Sequence, residues 1–139
     1  DYIENHYSDK KNLHVVLGGW RRQYVINRLE NSKIKYSLFE RTDLKSLKYL
    51  YAICNLYVVA SRHEGGPQSI IEASAMKIPI ISTDVGIASN ILSQKCIIDV
   101  KSQHYIPTDV DIDICKNNVN LIKISLLGKK YLSLFESLI

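Results

Sequence analysis

Between Leu56 and Ser82 the chain switches twice between two hydrophobic periods, and few folds accept that pattern. Leu56-Tyr-Val-Val-Ala60 is a continuous apolar run of strand length. Pro67 to Met76 then repeats apolar residues at helical spacing, and Ile78-Pro-Ile-Ile-Ser82 is apolar again. An unbroken apolar run marks a strand covered on both faces, and two such strands joined by one helix form a parallel βα unit. The alternation continues on both sides. The polar first dozen residues read as the end of a helix, and Leu13-His-Val-Val-Leu17 as a short strand stopped by Gly18-Gly19. A helix is predicted from Trp20 to Asn31 with Val25, Ile26 and Leu29 on one face, then a strand over Ile34–Phe39. Asp43 is placed to cap a helix in which Leu44, Leu47, Leu50 and Tyr51 recur. Beyond Ser82 the pattern predicts a turn at Asp84-Val-Gly86, a helical turn or two over Ile87–Leu92 and a last strand over Cys96–Val100. A loop with Pro107 then leads to helices over Asp113–Ile124 and Lys129–Leu138. The fold class is α/β: a Rossmann-like, mostly parallel sheet with flanking helices.

Size and charge narrow the partners. The 139 residues fit a single domain over 1–139, one that buries roughly two thirds of its unfolded surface. Apolar content of 46% and charged content of 23% are ordinary for a globular protein. The net charge of +4 is mild, and the tightest basic cluster is Arg21-Arg22, so no nucleic-acid partner is expected. The nine tyrosines are scattered and make no stacking platform. No apolar run approaches a membrane span and no secretory signal is visible. The expected location is cytoplasmic, with peripheral membrane attachment open to a longer protein. Cys54, Cys96 and Cys115 are never closely paired and read as free buried thiols in a reducing compartment. Neither Cys nor His recurs at ligand spacing, so no metal site is expected.

In parallel sheets, ligands bind beyond the carboxyl ends of the strands. Gly18-Gly19, Phe39-Glu-Arg41, Arg62–Pro67 and Thr83–Gly86 all fall there. One of these loops carries an acid, Glu64, followed directly by Gly65-Gly66-Pro67, and seven residues separate Glu64 from Glu72. Carboxylates accept hydrogen bonds from sugar hydroxyls, and a Gly-rich helix start receives anionic oxygens. The glycines admit close backbone approach, and Pro67 suits the first helical position. The free amides are then those of Gly66, Gln68 and Ser69. Glu72, one turn beyond Gln68, is placed to hold a ribose diol. Taken alone, the motif is equally a tight turn followed by an ordinary helix glutamate. Arg21 and Arg22, read into a first helical turn, are either solvated or face an anion across the rim. His63 is a packed or surface histidine, or it flanks a sugar; His14 is structural.

The wider segment changes that balance. Ser61-Arg-His-Glu-Gly-Gly-Pro-Gln-Ser-Ile-Ile-Glu-Ala-Ser-Ala-Met-Lys-Ile-Pro-Ile-Ile-Ser-Thr-Asp-Val-Gly86 closely resembles the signature of family-four glycosyltransferases, in the C-terminal, donor-binding half of their GT-B fold. The resemblance runs with decreasing clarity from about Leu13 to Val100. It implies a domain that binds a nucleotide-diphosphate sugar for transfer to a glycan or lipid-linked acceptor, with retention, and without cofactor or metal. By position, it implies that Glu64 contacts the sugar hydroxyls as the catalytic-site acid, with the Gly65 and Gly66 amides alongside. Gln68, Ser69 and Ile70 amides would face the diphosphate, Glu72 the ribose, and the Phe39-Glu-Arg41 segment the base.

The chain departs from that pattern in places. Lys77 stands where the family usually closes this helix with glycine, at a cost of about 1 kcal/mol in a left-handed cap. Asn90 replaces an acidic residue often found after the Thr-Asp-Val-Gly turn, and Ile87 a second glycine. The family's first strand and its Arg- and Lys-bearing loop are missing from the front. The only methionine is Met76. The chain therefore reads as part of a larger two-domain enzyme, with a seam in its sheet and no acceptor domain, and is not expected to turn over alone. Two other functions fit the same residues: a non-hydrolysing sugar-nucleotide epimerase, and a non-catalytic nucleotide- or glycan-binding module.

Overall fold

Parallel strand pairs organise the chain, one pair in each of two compact units that divide after Ile53. The computed structural model describes residues 2–7, 9–99 and 104–122, together with positions 129, 132, 133 and 136. The first unit contains α1 (Tyr2–His6), β1 (His14–Gly18), α2 (Gln23–Asn31), β2 (Lys35–Phe39) and α3 (Leu44–Ala52). β1 and β2 pair in parallel from His14 opposite Lys35 to Gly18 opposite Phe39, and the Gly19 amide adds one more bond to Phe39 O at 3.0 Å. Ile26 and Leu29 of α2 are buried, as are Tyr2, Ile34 and Tyr51. Asp43 caps α3 as expected, accepting from the Ser46 amide at 2.8 Å.

The second unit contains β3 (Tyr57–Val59), α4 (Gln68–Ala75), β4 (Ile80–Ser82), α5 (Ala88–Ile91), a 3-10 turn over Gln94–Cys96 and α6 (Asp109–Leu121). β3 and β4 are parallel, with Tyr57 opposite Ile80 and Val59 opposite Ser82. The core lies between this pair and the helices. Ile70 and Ala73 of α4, Ile81 of β4 and Ala88 of α5 have no exposed surface, so any change of volume at them is felt directly. α6 packs on α4 and α5, and Asn118 donates to Ile91 O at 2.9 Å. The α/β class and the parallel pairing match expectation; the ladders are two-stranded within each unit.

Several boundaries moved, each for a local reason. α2 begins at Gln23 because the chain turns through Gly19 (φ 90°) and Arg21 (φ 59°), neither of which is helical. Arg21 and Arg22 therefore precede the helix, and Arg22 donates through Nε to Gly18 O at 3.0 Å. Pro67 occupies the cap position of α4, with φ −67° and ψ 102°, and the helix opens at Gln68. The last strand shrinks to one bridge, Ser82 to Ile97, because β4 ends at Ser82 and offers nothing further to pair. Cys96 belongs to the preceding turn, and Val100 lies outside the described residues. α6 starts four residues early since Thr108 and Asp111 form a reciprocal capping box. The helix expected over Lys129–Leu138 falls outside the described residues except at isolated positions.

Both α2 and α4 end in Schellman turns with lysine at the left-handed position. Lys33 and Lys77 have φ of 56° and 57°. In each turn the following residue bonds back over six positions, Ile34 N to Leu29 O at 2.9 Å and Ile78 N to Ala73 O at 3.1 Å. Lys77 thus takes the conformation that its place in the sequence required. Cys96 and Cys115 are buried and Cys54 half-buried, none disulfide-bonded, and burial pushes all three thiols up.

Candidate functional site

The β3–α4 and β4–α5 loops leave the carboxyl ends of neighbouring strands, and Thr83 ties them together. Its amide donates to Val59 O at 3.0 Å, and its hydroxyl donates to Ser61 O at 2.6 Å. The Ser61 hydroxyl in turn donates to the Glu64 carboxylate. Two hydrogen bonds in series, through Thr83 and Ser61, therefore link the end of β4 to Glu64, although that acid is exposed.

Gly86 completes the lock. Its φ is 53°, and a Cβ built there would lie 2.9 Å from Gly65 C, 2.9 Å from Gly66 N and 3.0 Å from Glu64 O. The two loops touch backbone to backbone at this point, which only a residue without a side chain permits. Gly65 and Gly66 are glycines of another kind. Neither has a positive φ, and a Cβ on either would meet nothing within 4 Å. No conformational or packing demand within the described residues accounts for them. Beside them opens a cleft of about 410 Å³ lined by Arg62, His63, Glu64, Gly65, Asp84, Val85 and Gly86.

The start of α4 continues the same surface. Pro67 at the cap position has no polar side chain, and no side chain caps this helix. The Ile70 amide is already engaged, donating to Pro67 O at 3.0 Å, and its side chain is fully buried. Among the described residues the amides of Gly66, Gln68 and Ser69 find no acceptor. These three donors, with the positive end of the helix dipole, form a place for an anion. Glu72 follows one turn on, half-buried within α4.

This loop–helix arrangement can be compared with known proteins. The family model described as glycosyl transferases, group 1, matches residues 4–104. The chain belongs to the group 1 glycosyl transferases. No curated protein matches it. Among solved structures, the crystal structure of the GtfA/B complex is similar with a TM-score of 0.52 and 22% identity. The likeness covers 87% of this chain and 25% of that one, so the chain spans about a quarter of that protein's length. At this identity the likeness concerns the fold, and it supports an α/β fold of the GT-B type.

Set within a glycosyl transferase, the residues singled out from sequence separate into groups. Glu64 and Gly65 line the cleft together; Gly66, Gln68, Ser69, Ile70 and Glu72 follow along the same loop and helix without lining it. Arg41 belongs to the first unit, where its guanidinium lies 4.9 Å from the ring centroid of Trp20, a cation–π distance. The sequence placed Arg62–Pro67 and Thr83–Gly86 at the ligand-binding strand ends but gave Arg62, Asp84 and Val85 no role in the site. The signal was available, since Thr83–Gly86 and Arg62–Pro67 both stand at strand ends, but only the fold shows that the two loops face one cavity. Among the described residues no group of His, Cys, Asp and Glu is arranged to hold a metal ion, and no helix is long and apolar enough to cross a membrane.

Proposed function

We propose that the chain is the donor-binding part of a retaining, family-four GT-B glycosyltransferase that takes a nucleotide-diphosphate sugar. The pair Gly65-Gly66 carries this reading. Two consecutive glycines that neither φ nor any neighbour requires stand next to three unbonded amides and an anchored carboxylate. Leaving their Cβ positions empty gains nothing for folding and gives a ligand direct access to the backbone. The diphosphate is received at Gly66, Gln68 and Ser69, Glu64 orients the sugar through its hydroxyls, and Glu72 holds the nucleoside.

Such a site acts by positioning and by electrostatics. Transfer breaks the bond between the anomeric carbon and the diphosphate oxygen, and negative charge gathers on the departing group. Amides fixed at a helix start stabilise that charge without reorganising during the reaction. The acceptor, a glycan or a lipid-linked saccharide, is chosen by residues of the other half of the GT-B fold. The protein works in the cytoplasm, where nucleotide sugars are available.

The test is Gly66→Val. A Cβ at this position would meet nothing within 4 Å, and thermal unfolding of the variant checks that the fold is kept. Calorimetric titration with UDP-, GDP- and ADP-hexoses should show binding to the unmodified protein and its loss in the variant. Equal binding by the two proteins would remove the Gly-rich loop from the donor site.

A further inference from the structure

Asp84 has no assigned task in the fold. It is exposed, and among the described residues its carboxylate makes no hydrogen bond or ion pair. It does not cap α5, which begins after Ile87 without any side-chain cap. Yet its position is held from both sides. Thr83, before it, is bonded to Val59 and Ser61; Val85, after it, is buried and donates its amide to Thr83 O at 2.9 Å; Gly86 is wedged against Gly65 and Gly66. The backbone carrying Asp84 is thus as firmly placed as that carrying Glu64, and both line the same cleft. Arg62 lines the same cleft, yet no ion pair joins it to Asp84, so the hydrogen-bonding capacity of this carboxylate is unused within the protein. A ligand bearing several hydroxyl donors would use it, because a carboxylate accepts two or more hydrogen bonds and donates none.

We propose that Asp84 is a specificity-determining residue that accepts hydrogen bonds from donor-sugar hydroxyls which Glu64 does not reach. This rests on the donor-binding reading above and adds to it a second sugar-reading carboxylate, delivered by the β4–α5 loop. The two acids come from separate loops, so they address different hydroxyls of one ring. A hexose with an intact ring of hydroxyls is the substrate class that satisfies both. The diphosphate plays no part in the contact, since a carboxylate and a phosphate repel.

The experiment separates sugar from nucleotide. UDP, GDP and ADP, and the corresponding UDP-, GDP- and ADP-hexoses, are titrated calorimetrically into the unmodified protein, Asp84→Asn and Asp84→Ala, with thermal unfolding as a check on folding. For the nucleotide that binds, affinity for the nucleotide sugar should fall about 10-fold or more in both variants, as expected for losing hydrogen bonds to a charged acceptor. Affinity for the nucleoside diphosphate should stay unchanged, and the preference between gluco- and galacto-configured donors should shift. Unchanged nucleotide-sugar affinity in both variants, or an equal loss for both ligand types, would overturn the assignment while leaving the donor site standing. Absence of binding by every ligand to the unmodified protein would instead remove the donor-site reading, and this inference with it.

Discussion

Replacing Gly86 with alanine tests whether the two loops are locked as described. Two costs arise at this position. An L-residue at φ 53° is in the left-handed region, which costs about 1–2 kcal/mol relative to glycine. The new methyl would sit 2.9–3.0 Å from Gly65 C, Gly66 N and Glu64 O, all main-chain atoms, so no flexible side chain can swing aside. Ordinary contact requires about half an ångström more, and forcing such a shift costs about 1–3 kcal/mol. Restricting the unfolded chain returns about 0.4–1 kcal/mol. The net expectation is a loss of about 1–4.5 kcal/mol, centred on about 3 kcal/mol. In a urea titration followed by circular dichroism, the midpoint should fall by about 1 M or more. The control is Gly65→Ala in the loop opposite, where φ is ordinary and the added methyl meets nothing, with an expected change within about 0.5 kcal/mol. If Gly86→Ala proves as mild as Gly65→Ala, the β3–α4 loop is free to retreat. The rigid placement of Glu64 would then lose its support.

Other consequences follow from the caps and from one buried acid. Lys77→Gly relieves a left-handed lysine inside an otherwise complete Schellman turn and should stabilise the protein by about 0.5–1 kcal/mol; no gain in the same urea titration would deny that the strain is real. Asp111 is buried, and it accepts from Ser93 Oγ at 2.6 Å, from the Thr108 amide and hydroxyl at 2.8 and 2.7 Å, and from the Tyr105 hydroxyl. Asp111→Ala strands these donors and should cost about 3 kcal/mol or more, whereas a smaller loss would mean that water replaces the carboxylate. Burial pushes the Asp111 carboxyl up, but the hydrogen bonds from Ser93, Tyr105 and Thr108 outweigh it and hold the group well below the usual range. A depressed carboxyl contributes stability that is fully present above its unfolded value of 3.8 and is lost as pH falls below that value. In the first unit, hydrogen bonds from the Ser32 hydroxyl and from Arg28 help to hold Glu4 below its usual range and act in the same acid window. Stability measured from pH 6 to 2 should therefore drop steeply below about pH 4, and Asp111→Asn should flatten that drop; a parallel curve would refute the linkage.

Local sequence decided the element types here, because period and capping chemistry are short-range. Apolar runs at Val15–Leu17, Val58-Val59 and Ile80-Ile81 became parallel strands, Asp43 capped α3, and Lys77 closed α4 in the conformation its position demanded. Where local reasoning slipped, a backbone detail intervened. Positive φ at Gly19 and Arg21 delayed α2, and the Thr108–Asp111 box advanced α6 past the point where apolar spacing alone would start it. The carboxylate spacing and the Gly-Gly pair were equally open to reading, since they lie on one continuous segment.

Reading along the chain placed that segment and Thr83–Gly86 at the same kind of strand end, but not how closely the two meet. Asp84 is twenty residues from Glu64 and joins its cleft because β3 and β4 lie side by side and Thr83 bonds across to Ser61. Gly86 looks like any turn glycine until the backbone atoms it must accommodate are known. The order of residues alone thus determined which loops exist and what chemistry they carry. Strand pairing, a long-range event, decided which of them share a cavity and which side chains are left free inside it.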